Sequence, residues 1–341
     1  MMTSITPLPL QKPRADKPFI SCVVPGLNEH DNLLLLLPVL SELMSQISSR
    51  WEIIVVDDGS TDRTPELMAA YAQNLGFRYL QLSRNFGKEA ALSAGLEASA
   101  GDVVVCLDAD MQHPPALIPQ MLTRWQTGID SVYAVRENRD DELWLKRLGT
   151  SVFYHIMGNT KRVNIPANAG DFRLMDRLVV NALINLPERT RFMKGLYAWV
   201  GFKSEPILYV PAERAHGHSN FRLFQLISFA IDGITAFSTW PLRALNVVGS
   251  LLAVMSFIYG SFLVAEYFIE GHVVSGWTTI VTAMFFFSGI NLIALGTISA
   301  YIGRIFDEVK QRPLYVIKQQ IGGAQPNQEA TKVASIMSKS L

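Results

Sequence analysis

Cysteine is almost missing from this chain. Cys22 and Cys106 are the only two among 341 residues, each inside an apolar run, so a disulfide framework is excluded and reduced core thiols in a cytosolic compartment are expected. Net charge is missing too: 30 Lys and Arg balance 30 Asp and Glu, which excludes a nucleic-acid binder that works by neutralising phosphates. No Gly-x-Gly-x-x-Gly follows the first apolar run and no Gly-Lys-Ser/Thr loop occurs, so the common dinucleotide and P-loop cradles are absent. No His/Cys spacing matches zinc, and His216 and His218 read as surface or capping residues. The first 18 residues, with Pro7, Pro9, Pro13 and Pro18, lack an apolar core long enough for a signal peptide and read as a loose tail.

Charge is also absent locally. Residues 244–265 contain none, and residues 271–303 contain none with His272 neutral. Either stretch can cross a hydrocarbon core, which takes about 20 residues. They concentrate a hydrophobic fraction of 49% that is too high to spread over a soluble domain. A buried soluble hairpin is the alternative, but it would need a core that the rest of the chain does not offer. Arg243 precedes the first stretch, Arg304, Lys310 and Arg312 follow the second, and the turn 266–276 has no Lys or Arg. That asymmetry places both chain ends and the large domain in the cytoplasm.

Upstream, Arg222, Gln225, Ser228, Asp232, Thr235 and Thr239 recur at steps of three and four opposite an apolar face. This pattern predicts an amphipathic helix over 221–241 lying in the membrane interface, with a core helix of the soluble domain as the alternative. The expected organisation is therefore a tail over 1–18, a soluble domain over 19–220, the interfacial helix, two spans within 242–304 (about 244–268 and 278–302), and a cytoplasmic tail over 305–341. Paired spans associate, so a homo-oligomer is expected.

The soluble part alternates strands and helices. Phe19 to Pro25, Trp51 to Val56, Phe77 to Leu82 and Val103 to Val105 are apolar throughout, and each leads to a polar cluster and then a helical stretch. Strands of that kind form a mainly parallel sheet covered on both faces, whose ligands sit at the carboxyl ends of the strands. At the fourth such end stands Asp108-Ala109-Asp110-Met111-Gln112-His113-Pro114-Pro115. Asp108, Asp110 and Gln112 are a candidate set for Mg2+ or Mn2+, hard cations that take oxygen ligands and keep positions open for substrate phosphates. A solvated Asx turn is the competing reading. Asp57 and Asp58, after the second strand, are placed to accept hydrogen bonds from a base imide or ribose hydroxyls, against the reading of a plain Asp-Gly turn. Arg136 ends another strand, and with Arg139, Lys146 and Arg147 it suits a flap over phosphates or a solvated loop.

Taken together, Pro25-Gly26-Leu27-Asn28-Glu29, Asp57-Asp58-Gly59-Ser60, Ser83 to Lys88, Asp108 to Pro114, Gly170 to Leu174, Arg191 to Gly195 and Glu213 to Ser219 resemble the family 2 glycosyltransferases of GT-A fold. More narrowly, they resemble the polyprenyl-phosphate glycosyltransferases, with the bactoprenol glucosyltransferases of O-antigen modification nearest and the dolichyl-phosphate mannose and 4-amino-arabinose enzymes related. The resemblance covers about Phe19 to Pro313 and implies transfer of a sugar from a nucleotide diphosphate sugar, glucose from UDP-glucose, to undecaprenyl phosphate with inversion. It leaves GDP-mannose, UDP-N-acetylglucosamine or a UDP-4-amino-arabinose derivative as alternative donors, and a non-catalytic membrane scaffold as an alternative role. It also implies that Pro25, Asn28, Glu29, Asp57, Asp58, Lys88 and Asp108 bind the donor, and that Arg136, Arg147, Arg214, Ser219 and Arg222 hold the acceptor phosphate. Asp171 then orients a sugar hydroxyl, acts as base, or pairs with Arg173 or Arg191. A processive polysaccharide synthase would carry Gln-x-x-Arg-Trp and more spans, and neither is present.

Overall fold

The computed structural model describes residues 14–137, 169–189, 191–210, 240–270 and 276–322, which fall into two compact units. The first opens with β1 (Ile20–Gly26), α1 (His30–Ile47), β2 (Trp51–Asp57), α2 (Thr64–Tyr71), β3 (Phe77–Leu82), α3 (Lys88–Ala98) and β4 (Val103–Cys106). A single 3-10 turn then leads to α4 (Ile118–Gln126), followed by β5 (Ser131–Arg136), β6 (Ala169–Asp176), α5 (Arg177–Ile184), α6 (Met193–Trp199) and β7 (Ser204–Tyr209). The eight strands form one sheet in the order β7-β5-β6-β4-β1-β2-β3-β8. β3, β2, β1 and β4 are mutually parallel, β7 is parallel to β5, and only β6 and β8 run the other way. This is the mainly parallel, two-sided sheet that the uninterrupted apolar strands predict.

Alternation along β1 shows how both faces are covered. Ile20, Cys22 and Val24 join one cluster with Leu33, Leu36, Leu37, Leu40 and Met44 of α1 and with Ile118, Met121 and Trp125 of α4. Each of the four leucines is fully buried, a contribution of about 1.5–3 kcal/mol apiece. Val23 points the other way, toward α3, where a Cβ on Gly95 would stand 2.2 Å from Val23 Cγ1. Only hydrogen fits there, so α3 packs tightly on the sheet and its first residue, Lys88, is held at the sheet's carboxyl edge.

The opposite face also holds a closed polar network. Glu52 is fully buried; it accepts from Ser21 Oγ at 2.6 Å, from Ala100 N–H at 2.8 Å and from Arg78 at 2.8 Å. Arg78 also donates to Ala98 O at 2.6 Å, so the ion pair has the extra hydrogen bonds that a buried charge requires.

The second unit is two long helices, α7 (Trp240–Glu270) and α8 (Trp277–Lys310), joined by a short connection. Pro241 sits in the first turn of α7, where a missing N–H costs nothing. Ala244–Phe262 and Phe286–Lys310 are long and apolar enough to cross a membrane, and neither window is buried within the protein, unlike the core helix of a soluble domain. The expected interfacial segment 221–239 lies outside the described residues.

Beyond α8 the chain rejoins the first unit. β8 (Ile317–Ile321), within the stretch read as a tail, pairs antiparallel with the edge of β3, and Ser83 N–H donates to Val316 O at 2.8 Å. Its sequence, Ile-Lys-Gln-Gln-Ile, shows the apolar ends but no run that would mark it as a strand.

Candidate active site

The carboxyl ends of β1 to β4 bring four loops together, and their contacts explain the polar clusters. Asn28 takes a left-handed φ of 58°, and its Oδ1 accepts from Thr61 N–H at 2.8 Å while its own N–H donates to Ser60 Oγ at 2.8 Å. Asn28 thus staples the β1 loop to the β2 loop. Asp57 is fully buried; its oxygens accept from Ser60 N–H at 2.7 Å and from the Tyr79 hydroxyl at 2.6 Å. Asp58 accepts from Phe86 N–H at 2.7 Å and Gly87 N–H at 2.9 Å, and burial raises its pKa against the pull of those two donors. Gly59, with φ 83°, lets the two loops touch: a Cβ there would lie 2.6 Å from the Arg84 carbonyl carbon. The two aspartates expected to meet a nucleotide therefore have an immediate internal task, which is to fix the loop that delivers Lys88. Pro25 is buried in register with Val56 of β2, and Glu29 accepts from Asn32 Nδ2 at 2.6 Å at the start of α1.

At β4 the expected carboxylates converge on that lysine. Lys88 Nζ lies 2.7 Å and 2.8 Å from the two oxygens of Asp108 and 2.9 Å from Asp171 Oδ2. Asp171 arrives from β6, which pairs with β4, so two residues 63 positions apart are clamped by one ammonium. Burial opposes the charge on Lys88, but Asp171 and Asp108 outweigh it and hold the ammonium above its ordinary range. Burial likewise opposes the charge on Asp171, and Lys88 with Lys194 prevails, keeping that carboxyl below the usual carboxylate range. The ion pair of Asp171 is thus with Lys88. Arg173 instead stacks on Tyr197, its guanidinium 3.3 Å from the ring centroid, and Arg191 donates to Leu186 O at 2.9 Å.

Asp110 Oδ1 accepts from Gln112 N–H at 3.1 Å across Met111, whose φ of 60° is left-handed and therefore strained. The Asx turn and the candidate metal loop are one and the same. Among the described residues no group of three or more His, Cys, Asp or Glu could hold a metal. Two carboxylates and an amide, oxygen donors only, nevertheless fit a hard divalent cation whose remaining positions go to phosphate and water. Asp108, Asp110 and Gln112 are the residues that would hold it.

Arg136 ends β5 beside Tyr209 of β7 and is hydrogen-bonded to its hydroxyl. His113 packs between Tyr209 and Phe172, with ring centroids 5.7 Å and 5.3 Å away, and its Nδ1 lies 4.0 Å from Asp108. Burial lowers the His113 pKa despite the neighbouring Asp108 and Asp110, leaving a neutral ring. Arg147, Arg214, Ser219 and Arg222 lie outside the described residues.

The sequence reading missed Glu89, which burial and then Asp171 push up to about 8, while Lys88, the Met193 N–H and Lys194 pull the other way. An acidic residue in a first helical turn reads as a partner of the helix dipole, and nothing local reveals that α6 covers it.

The model of the family described as glycosyl transferase family 2 matches residues 21–184. An uncharacterized glycosyltransferase of Synechocystis sp. is 43% identical over 304 residues, 89% of this chain and 96% of that protein. The SfII prophage-derived bactoprenol glucosyl transferase of Shigella flexneri is 39% identical over 89% of this chain and 99% of its own length. A prophage bactoprenol glucosyl transferase homolog of Escherichia coli is 39% identical over 88% and 98%. Among solved structures, glucosyl-3-phosphoglycerate synthase from Mycobacterium tuberculosis is 22% identical over 64% of this chain and 79% of that one, with a TM-score of 0.44.

Proposed function

The chain belongs to glycosyl transferase family 2, and we propose that it moves glucose from UDP-glucose onto undecaprenyl phosphate at the cytoplasmic face of a bacterial inner membrane, with inversion at the anomeric carbon, in O-antigen or other envelope glycan modification. The observation that carries the reading is the meeting of Asp108, Asp110, Lys88 and Asp171 at one strand edge, in a chain that matches a bactoprenol glucosyl transferase over 99% of that relative's length.

Held by Asp108, Asp110 and Gln112, Mg2+ or Mn2+ would supply electrophilic stabilisation of the departing diphosphate. Lys88 adds a fixed cation at the same edge, already aligned by Asp108 and Asp171. The acceptor needs little activation, because a phosphate monoester with a second pKa of about 6 is largely dianionic near neutrality. What it needs is guidance. Arg136, braced by Tyr209, offers a forked donor for that phosphate, with Arg147, Arg214, Ser219 and Arg222 as its further partners. Asp171, ionised and anchored, would orient a sugar hydroxyl or serve as base. Pro25, Asn28, Glu29, Asp57 and Asp58 shape and support the donor pocket.

Two arguments support a double crossing of the membrane with both chain ends in the cytoplasm. The Lys and Arg distribution favours it. In addition, β8 belongs to the same unit as β1 although α7 and α8 lie between them in sequence, and two crossings return a chain to the side it left.

The test is transfer of label from radiolabelled UDP-glucose to undecaprenyl phosphate by purified full-length protein with Mg2+ or Mn2+, beside UDP-galactose, UDP-N-acetylglucosamine and GDP-mannose. Lipid-extractable label from UDP-glucose above the other donors is expected. Preference for another donor would overturn the assignment of the sugar, and no lipid product from any donor would overturn the assignment of the acceptor.

A further inference from the structure

Around the first turn of α3, three side-chain oxygens are sealed from solvent without a hydrogen-bond partner: Glu89 Oε2, Asp171 Oδ1 and the Tyr197 hydroxyl. They belong to one cluster, since Glu89 feels Asp171, and Tyr197 feels both. The charged neighbours are Lys88 from the same helix, Arg173 from β6 and Lys194 from α6. Cys106 of β4 stays a neutral thiol because burial raises it. A buried oxygen without a partner costs about 1–3 kcal/mol, so three in one pocket call for protons rather than for tolerance.

The donors can be traced. If both carboxyl groups were ionised, Tyr197 would bring the only hydrogen to three oxygens, because Lys88 is committed to Asp108 and to the other oxygen of Asp171. Arg173 faces the Tyr197 ring and donates to Gly170 O at 3.1 Å. One further proton on a carboxyl group removes the deficit. Asp171 is not its holder, since Lys88 and Lys194 favour the ionised form there. Glu89 accepts from the Met193 N–H at the start of α6, and its remaining oxygen is the orphan, placed to carry a hydrogen.

We propose that Glu89 stands as a neutral carboxylic acid that donates its proton to Asp171, and is thereby the positioning residue of that carboxylate in the transfer reaction. With Lys88 on Oδ2 and Glu89 on Oδ1, Asp171 is gripped at both oxygens and presents one negative charge instead of sharing the pocket with a second. The positioning role rests on the proposed sugar transfer, but the protonation does not.

The experiment uses the full chain in detergent. Infrared spectra at pH 7 are expected to show the C=O stretching band of a protonated carboxylic acid that Glu89→Gln removes, and the wild-type band is expected to fade as pH rises through about 8. In the transfer assay Glu89→Ala is expected to lower kcat about tenfold with the donor KM unchanged, and Glu89→Gln, which keeps a neutral donor, to restore most of that rate. Absence of the Glu89-dependent band overturns the proposal whether or not the protein transfers glucose. A Glu89→Gln enzyme as slow as Glu89→Ala overturns the positioning role, since a carboxylate would then be required.

Discussion

Lys88 holds both oxygens of Asp108, at 2.7 Å and 2.8 Å, from the first residue of a helix whose approach to the sheet is set by Gly95 and whose preceding loop is set by Asp58. The lysine belongs to the site as a fixed positive charge and not as a mobile surface residue, although 45% of its side chain is exposed. Lys88→Met should therefore lower kcat/KM for sugar transfer by about 10²-fold, the scale seen when one preorganised stabilising donor is removed. Steady-state kinetics with labelled donor would check this, and near-wild-type kcat/KM would remove Lys88 from the mechanism.

Asp110 carries the metal reading. Asp110→Asn keeps an oxygen that can accept from Gln112 N–H, so the turn should survive while the charge is lost. Transfer should fall by at least about 10²-fold and Mn2+ affinity should drop in parallel. Chelation of the wild type with EDTA should likewise stop transfer until Mg2+ or Mn2+ is restored. Manganese titration by electron paramagnetic resonance, with circular dichroism to verify the fold, separates these effects; unchanged binding would rule out the metal role.

Glu52 and Arg78 test the fold without touching the site. Glu52→Ala leaves Arg78 buried without its carboxylate and strips Ser21 and Ala100 of an acceptor, a loss of about 3–5 kcal/mol. Urea unfolding followed by tryptophan fluorescence would measure it, and a change under about 1 kcal/mol would contradict the buried network.

The β8 strand makes a prediction about the chain's end. Ending the protein after Arg312 uncovers the edge of β3, and an uncovered edge invites pairing with other chains. Lower melting temperature and concentration-dependent aggregation are expected. Gly322→Ala is the gentler variant: φ is 81° and a Cβ would lie 2.3 Å from Phe77 O, so destabilisation of about 1–3 kcal/mol should appear in thermal melts, and none would argue against the strand's register.

Glu89 gives stability a pH signature. Its pKa in the folded protein, about 8, lies above the unfolded value near 4.5, so between those pH values the native state binds the extra proton. Stability contributed by this group is full below about pH 4.5 and declines as pH rises toward 8. Glu89→Gln has no such proton to lose, and its melting temperature relative to wild type should rise across that window. Parallel melting curves from pH 5 to 8 would expose the opposite outcome.

The sequence alone determined the alternation of strand and helix, because uninterrupted apolar runs suit only a sheet covered on both faces, and the charge-free stretches that became α7 and α8. It also determined which loops carry chemistry, since Asp108, Asp110 and Asp171 stand in polar clusters that follow or begin apolar strands. Tertiary structure alone decided which groups meet. Lys88 bridges Asp108 and Asp171, Glu89 lies beneath α6, and Asp57 and Asp58 are occupied within the loops, because pairing of β6 with β4 and packing of α3 and α6 join residues that no local spacing relates. The same holds for β8: its five residues carry too weak a pattern to predict a strand, and only the open edge of β3 makes them one.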